Sequence, residues 1–125
     1  MRSFDVVALG ELLIDFTENG VSGQGSPLFE ANPGGAPCNV LAMLAKLGRR
    51  TAFVGKVGHD AFGAQLRTAL QEADICVDGL VTDAQVLTTL AFVHTLPDGD
   101  RDFSFSRSPG ADTRLTPEEV PPSLV

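Results

Sequence analysis

The chain has no tryptophan or tyrosine, only two cysteines, and nine Lys and Arg against sixteen Asp and Glu in 125 residues, for a formal net charge of −7. Each shortage excludes something. Duplex nucleic acid is held by a stripe of cations that neutralises phosphates, and this chain has too few to form one. Base stacking would rest on eight phenylalanines alone. The longest apolar run, Val40 to Ala45, falls far short of the roughly 20 residues of a membrane span. The N-terminus lacks a secretory pattern, because the apolar stretch Val6 to Leu9 is soon interrupted by Glu11 and Asp15. Cys38 and Cys76 stand at no metal-ligand spacing and near no histidine, so reduced thiols in a cytoplasmic protein are expected.

What is present suits a globular α/β chain: 43% hydrophobic and 20% charged residues, enough to build a core. Phe4 to Leu9 reads as a central strand buried on both faces. Leu12 to Thr17 reads as a second strand, with Leu13, Asp15 and Thr17 on one face and Ile14 and Phe16 on the other. A Gly- and Ser-rich loop and a short return strand, Leu28 to Ala31, follow. Asn32 to Pro37 reads as a turn into a helix from about Pro37 to Leu47, apolar on most sides and ended by Gly48. Thr51 to Val54 is a short strand, and Asp60 caps a second helix bearing Phe62, Leu66, Leu70 and Ala73. The alternation predicts a mostly parallel sheet. Thr88 to Leu96 and Arg101 to Arg107, around Pro97-Asp98-Gly99-Asp100, form a β-hairpin signal beside that sheet. Thr116 to Glu119 carries a capping box, and the chain stops where another element is expected.

Several residues carry candidate chemistry. Asp15 is a carboxylate in an apolar strand, either a solvated edge residue or an acceptor for polyol hydroxyls. Gly34 and Gly35 would let a ligand approach the backbone, and Asn39, one turn into the helix, offers a donor and an acceptor; an ordinary turn reads equally well. Gly58 to Gly63 has the glycine spacing of a phosphate-binding loop, but Ala64-Gln65 replaces its Lys-Ser/Thr. His59 and His94 lie far apart and are expected at the surface, as are Asp98, Asp100 and Asp102 at the hairpin tip. Arg107, ending the hairpin, reads as a ligand contact or an exposed charge.

In order along the chain, Val7-Ala8-Leu9-Gly10-Glu11 with Ile14-Asp15-Phe16, then Pro33 to Val40, Leu47-Gly48, Gly55 to Gly63, and Phe103 to Asp112 resemble the PfkB (ribokinase-like) carbohydrate kinases, and within them the bacterial fructokinases. Leu41 and Ser106 depart from the pattern, standing where a small residue and a tyrosine are common. The resemblance implies a parallel sheet flanked by helices and a small β-sheet lid made from about residues 12–32 and 88–107, with residues 1–125 the N-terminal portion of the domain and its C-terminal part missing. It implies that Asp15, Gly35 and Asn39 hold sugar hydroxyls with Gly34 adjacent to them, and that Phe92, Phe105 and Arg107 lie near the sugar. It further implies ATP-dependent phosphorylation, with ATP and Mg²⁺ serving the complete enzyme and neither bound tightly by this chain. Fructose is the preferred sugar, since relatives acting on 2-keto-3-deoxygluconate often carry tyrosine where Phe105 stands. A ribokinase, a ketodeoxygluconate kinase, a nucleoside kinase or a non-catalytic sugar-binding module remain as alternatives. The family's proton-accepting aspartate belongs to a Gly-Ala-Gly-Asp motif that this sequence lacks; Gly110-Ala111-Asp112 is missing the second glycine. No catalytic residue is therefore expected in the chain itself, and the resemblance implies that the family's base lies beyond Val125. A homodimer through the lid is expected, and neither nucleic acid nor membrane as partner.

Overall fold

A computed structural model describes residues 3–125. Strands β1 (Val6–Leu9), β4 (Thr51–Gly58) and β5 (Ile75–Asp83) form a parallel sheet in the order β1-β4-β5, joined through helices α1 (Ala36–Lys46) and α2 (Ala61–Glu72). A second sheet, ordered β3-β2-β6-β7, combines β2 (Leu13–Val21), β3 (Pro27–Gly34), β6 (Leu90–Thr95) and β7 (Arg101–Ser106). In it β2 runs antiparallel to β3 and parallel to β6, and β6 antiparallel to β7. Three short 3₁₀ turns, Ala111–Thr113, Pro117–Glu119 and Pro122–Leu124, complete the chain.

The most enclosed strand is β4, not β1. All eight residues of β4 are buried, whereas β1 lies at the sheet's edge with Leu9 60% exposed. The sequence hides this because Gly55 and Lys56 interrupt the apolar run, so only Thr51 to Val54 reads as strand. Lys56 stays inside because both Glu119 carboxylate oxygens stand 2.9 Å from its Nζ, with Asp83 at 3.7 Å. An unpaired cation could not remain there. Strand β5 escapes the sequence reading for a similar reason, Asp78-Gly79 breaking its pattern.

Strand β3 also differs from expectation, running through Asn32-Pro33-Gly34 where the sequence predicts a turn. Pro33 is tolerated because β3 is an edge strand, where a missing amide hydrogen leaves no ladder bond unmade. Helix α1 is as apolar as its sequence suggests, yet it buries only Cys38 and Leu41; Val40, Met43 and Leu47 are exposed. Leu41, one of the two departures from the family pattern, is wholly enclosed. The expected capping box forms, with the Thr116 amide and hydroxyl both donating to Glu119 Oε1 at 3.0 Å, but it caps a single 3₁₀ turn.

The core gathers Leu12, Ile14, Leu41, Phe53, Val57, Leu66 and Leu70 between the two layers. Each such buried side chain contributes roughly 1.5–3 kcal/mol relative to exposure. Asp60 ties the layers together. Its carboxylate accepts from the Gly63 amide at 2.8 Å as the α2 cap, and from the Thr88 amide at 2.9 Å and hydroxyl at 2.8 Å. The Thr88 hydroxyl oxygen in turn accepts from the Gly58 amide at 2.9 Å. The Gly58 and Gly63 amides of the glycine-rich loop are thus taken up by Thr88 and Asp60. Burial opposes the charge on Asp60, but the amides of Thr88, Gly63 and Phe62 and the Thr88 hydroxyl outweigh it and hold its pKa below the ordinary value.

Candidate functional site at the root of the second sheet

Residues paired across a sheet point to one face. The register aligns Asn32, Asp15, Ala91 and Phe105 in a row across β3, β2, β6 and β7. The adjacent row, Ala31, Phe16, Phe92 and Ser104, points the other way. Asp15 and Phe105 therefore share a face, and Phe92 does not. Phe92 stacks on Phe16 at 5.0 Å between ring centroids, takes the edge of Phe29 at 6.0 Å, and through Phe16 joins Phe62 of α2. The neighbour of Asp15 on β6 is Ala91, and Phe92 pairs with Phe16 on the opposite face.

Asp15 is half-buried, and its carboxylate lies directly against Gly34, where no larger residue would leave it room. Burial, and then the charge of Glu11, push its pKa above the ordinary aspartate value. Gly35 follows at φ +117°, in the region that favours glycine, and a β-carbon there would stand 2.6 Å from the Glu11 carbonyl oxygen. This tight passage starts α1 against the entry to β2. Asn39 lies on the first turn of α1, its amide donating to the Gly35 carbonyl at 3.3 Å and its side chain exposed. No hydrogen bond joins Asn39 to Asp15 among the described residues.

Arg107 leaves the end of β7 and crosses the face of Phe105, its guanidinium carbon 5.4 Å from the ring centroid. Its Nη2 donates to Asp112 Oδ2 at 2.9 Å and to Glu11 Oε2 at 3.3 Å. The Asp112 side chain is 2% exposed and also accepts from the Thr89 hydroxyl. Glu11, Arg107 and Asp112 line one wall of an open cleft of about 480 Å³, with Leu9, Gly10 and Leu115. Sequence reasoning passed over Glu11 and Asp112 as site residues. The signal for Glu11 was its odd-numbered alternation with Leu13 and Asp15. That for Asp112 was not local, since its partners come from two other segments.

Val125 has no part in this cleft. It is 84% exposed, its amide donates to the Pro122 carbonyl at 3.4 Å, and it lies with Leu124 beside Ser3, Phe4 and Asp5. Its aliphatic side chain carries no acid–base chemistry of its own.

Neither cysteine takes part. Both are free, and burial pushes the Cys38 thiol up to about 12. Among the described residues no group of three or more His, Cys, Asp and Glu gathers as a metal-holding set, and no helix is long and apolar enough to cross a membrane.

A parallel sheet flanked by helices and carrying a second sheet is the arrangement of the ribokinase-like kinases on which the chain superposes. The family model for "pfkB family carbohydrate kinase" matches residues 3–125, and the chain belongs to that family. It is 47% identical over 122 residues to probable fructokinase-2 of Arabidopsis thaliana, an alignment covering 96% of this chain and 37% of that protein. It superposes on fructokinase from Xylella fastidiosa with a TM-score of 0.88 at 37% identity, covering 94% of this chain and 37% of that one. The same organism's fructokinase with bound ATP gives a TM-score of 0.84 at 38% identity, covering 93% of this chain and 34% of that one. The chain thus spans little more than a third of the length of these relatives.

Proposed function

We propose that this chain supplies the sugar-facing side of an ATP-dependent kinase acting on a neutral hexose, with fructose as the sugar. The observation that carries this reading is the seating of the Asp15 carboxylate against Gly34 at the root of the second sheet. An ionised carboxylate accepts from two hydroxyls at once, and the backbone at Gly34 and Gly35 admits a ligand closely. Asn39 adds a donor and an acceptor at the start of α1, Phe105 an apolar wall, and Arg107 a donor. The likeness to fructokinases, one with bound ATP, supports the choice of sugar and of phosphoryl donor.

These residues position the acceptor hydroxyl, which is the protein's main task in phosphoryl transfer. ATP supplies the phosphoryl group, and a hard cation such as Mg²⁺ offsets its charge. The described residues do not themselves assemble a metal site. The acids lining the cleft are both engaged, Asp112 by Thr89 and Arg107 and Glu11 by Arg107, and Asp15, outside that lining, serves to hold the sugar. No proton acceptor is assigned among the described residues.

The lid face bearing Phe103 and Phe105, 49% and 56% exposed and stacked on each other at 6.3 Å, suits pairing with a second copy. Localisation in the cytoplasm accords with the two free thiols.

Calorimetric titration with fructose, ribose, a nucleoside and 2-keto-3-deoxygluconate tests the substrate, and ADP release with fructose, ATP and Mg²⁺ tests turnover. Fructose binding with little turnover by the 125-residue chain is expected. Tighter binding of another compound in the panel would reassign the substrate, and rapid ADP release would place a complete catalytic set within this chain.

A further inference from the structure

Arginine presents two forks for a carboxylate, one from Nη1 and Nη2 and one from Nε and Nη2. Both forks need an Nη2 hydrogen. In this structure Nη2 of Arg107 already donates to Asp112 and Glu11. The Nε is buried without a hydrogen-bond partner, closing the second fork from the side as well. What Arg107 leaves available is Nη1, whose single donors suit a hydroxyl or carbonyl oxygen. The charges around it point the same way. Glu11 and Asp112 set two carboxylates against one guanidinium, held to it by ion pairs at 3.3 and 2.9 Å, which leaves the cleft wall with net negative charge.

We infer that Glu11 and Asp112, by occupying the forked edges of Arg107 and leaving the cleft with surplus negative charge, make this site select a neutral polyol and reject a sugar acid. This rests on the reading of the cleft as a sugar site and deepens it by naming what sets the substrate class. Glu11 and Asp112 act through Arg107, as positioning residues. Glu11 is the adjustable member, its side chain 45% exposed against 2% for Asp112. Glu11→Ala frees one Nη2 hydrogen for a forked contact and removes one negative charge, all at a surface position.

The test is a pair of NMR titrations of the 125-residue chain, with fructose and with gluconate, at low ionic strength, repeated on Glu11→Ala. The parent is expected to bind fructose and to bind gluconate about tenfold or more weaker. In Glu11→Ala the affinity ratio should move toward gluconate by about threefold, the scale of one partly exposed ion pair, and added salt should narrow the parent's ratio. A general loss of structure would weaken both ligands together and leave the ratio unmoved. Equal binding of the two ligands by the parent, or an unchanged ratio in Glu11→Ala, overturns the inference while leaving the sugar site standing. Failure of the parent to bind either ligand overturns the sugar site and the inference with it.

Discussion

The α-carbon of Gly34 and the carboxylate of Asp15 pack against each other, so that a methyl group on residue 34 would overlap Asp15 Oδ2. The two residues sit on neighbouring antiparallel strands, Gly34 opposite Leu13 and Asp15 opposite Asn32. Position 34 thereby decides where the carboxylate can point.

Removal of that carboxylate is the direct check. Asp15→Ala should cost about 1.5–3 kcal/mol of charge-assisted hydrogen bonding, or about 10–150-fold in fructose affinity. Gly34→Ala should weaken binding in the same direction by displacing the acceptor. A fructose titration that returns parental affinity for Asp15→Ala would take this residue out of the site.

Gly35 and Gly99 separate two costs of an added side chain. Both have positive φ, +117° and +86°, but only Gly35 has a neighbour in the way, the Glu11 carbonyl oxygen at 2.6 Å. Gly99→Ala should lose about 1–2 kcal/mol for the left-handed backbone alone. Gly35→Ala should lose more, because the Glu11 backbone must also move. Urea unfolding midpoints of the two variants decide the point, and equal losses would contradict the close approach at Gly35.

Asp60 predicts a pH dependence with a definite sign. Its folded pKa lies below the ordinary value of 3.8, so its stabilising contribution is present above that value and lost as the pH falls through the folded pKa. Asp60→Asn should therefore be less stable than the parent at neutral pH, by roughly 0.5–2 kcal/mol for a weakened helix cap, with the gap closing in acid. Asp15 works in the opposite sense: its raised pKa means that protonation between the unfolded and folded values favours the folded chain. Thermal melts of parent and variant from neutral pH to below 3.8 provide the measurement, and a gap that widens in acid would refute the assignment for Asp60.

Glu119 and Glu118 are adjacent acids with different work. Glu119 holds the buried Lys56 ammonium and the Thr116 amide, and these contacts keep its pKa below the usual glutamate value. Among the described residues Glu118 has no ion pair. Glu119→Ala should lower the melting temperature more than Glu118→Ala, since it strands a cation in the middle of β4. Parity between the two variants would show that Asp83 suffices for Lys56.

Much of this was readable before any coordinates, for reasons particular to each segment. The Asp60 cap, the hairpin around Gly99 and the capping box at Thr116 are short-range devices whose partners lie within a few residues. The failures share a different cause. Lys56 looks like a strand breaker until Glu119 arrives from 63 residues away, and Arg107 looks free until Asp112 and Glu11 are seen on either side. For Phe92, the family likeness fixes a position in the chain but not which face of β6 it adopts. Period-2 alternation from Ala91 would have supplied that face, had the β2–β6 pairing been known.

Strands β2 and β6 lie side by side although Ile14 pairs with Leu90, and the whole of β4, α2 and β5 intervenes. The upper sheet cannot close by zipping from a local turn; it must wait for the lower layer to bring its two halves within reach. Loop-closure entropy makes that long-range junction costlier to close than the β2–β3 and β6–β7 hairpins. Amide exchange across Asp15 and Phe16 therefore serves as a gauge of whether the entire polypeptide has reached its finished arrangement.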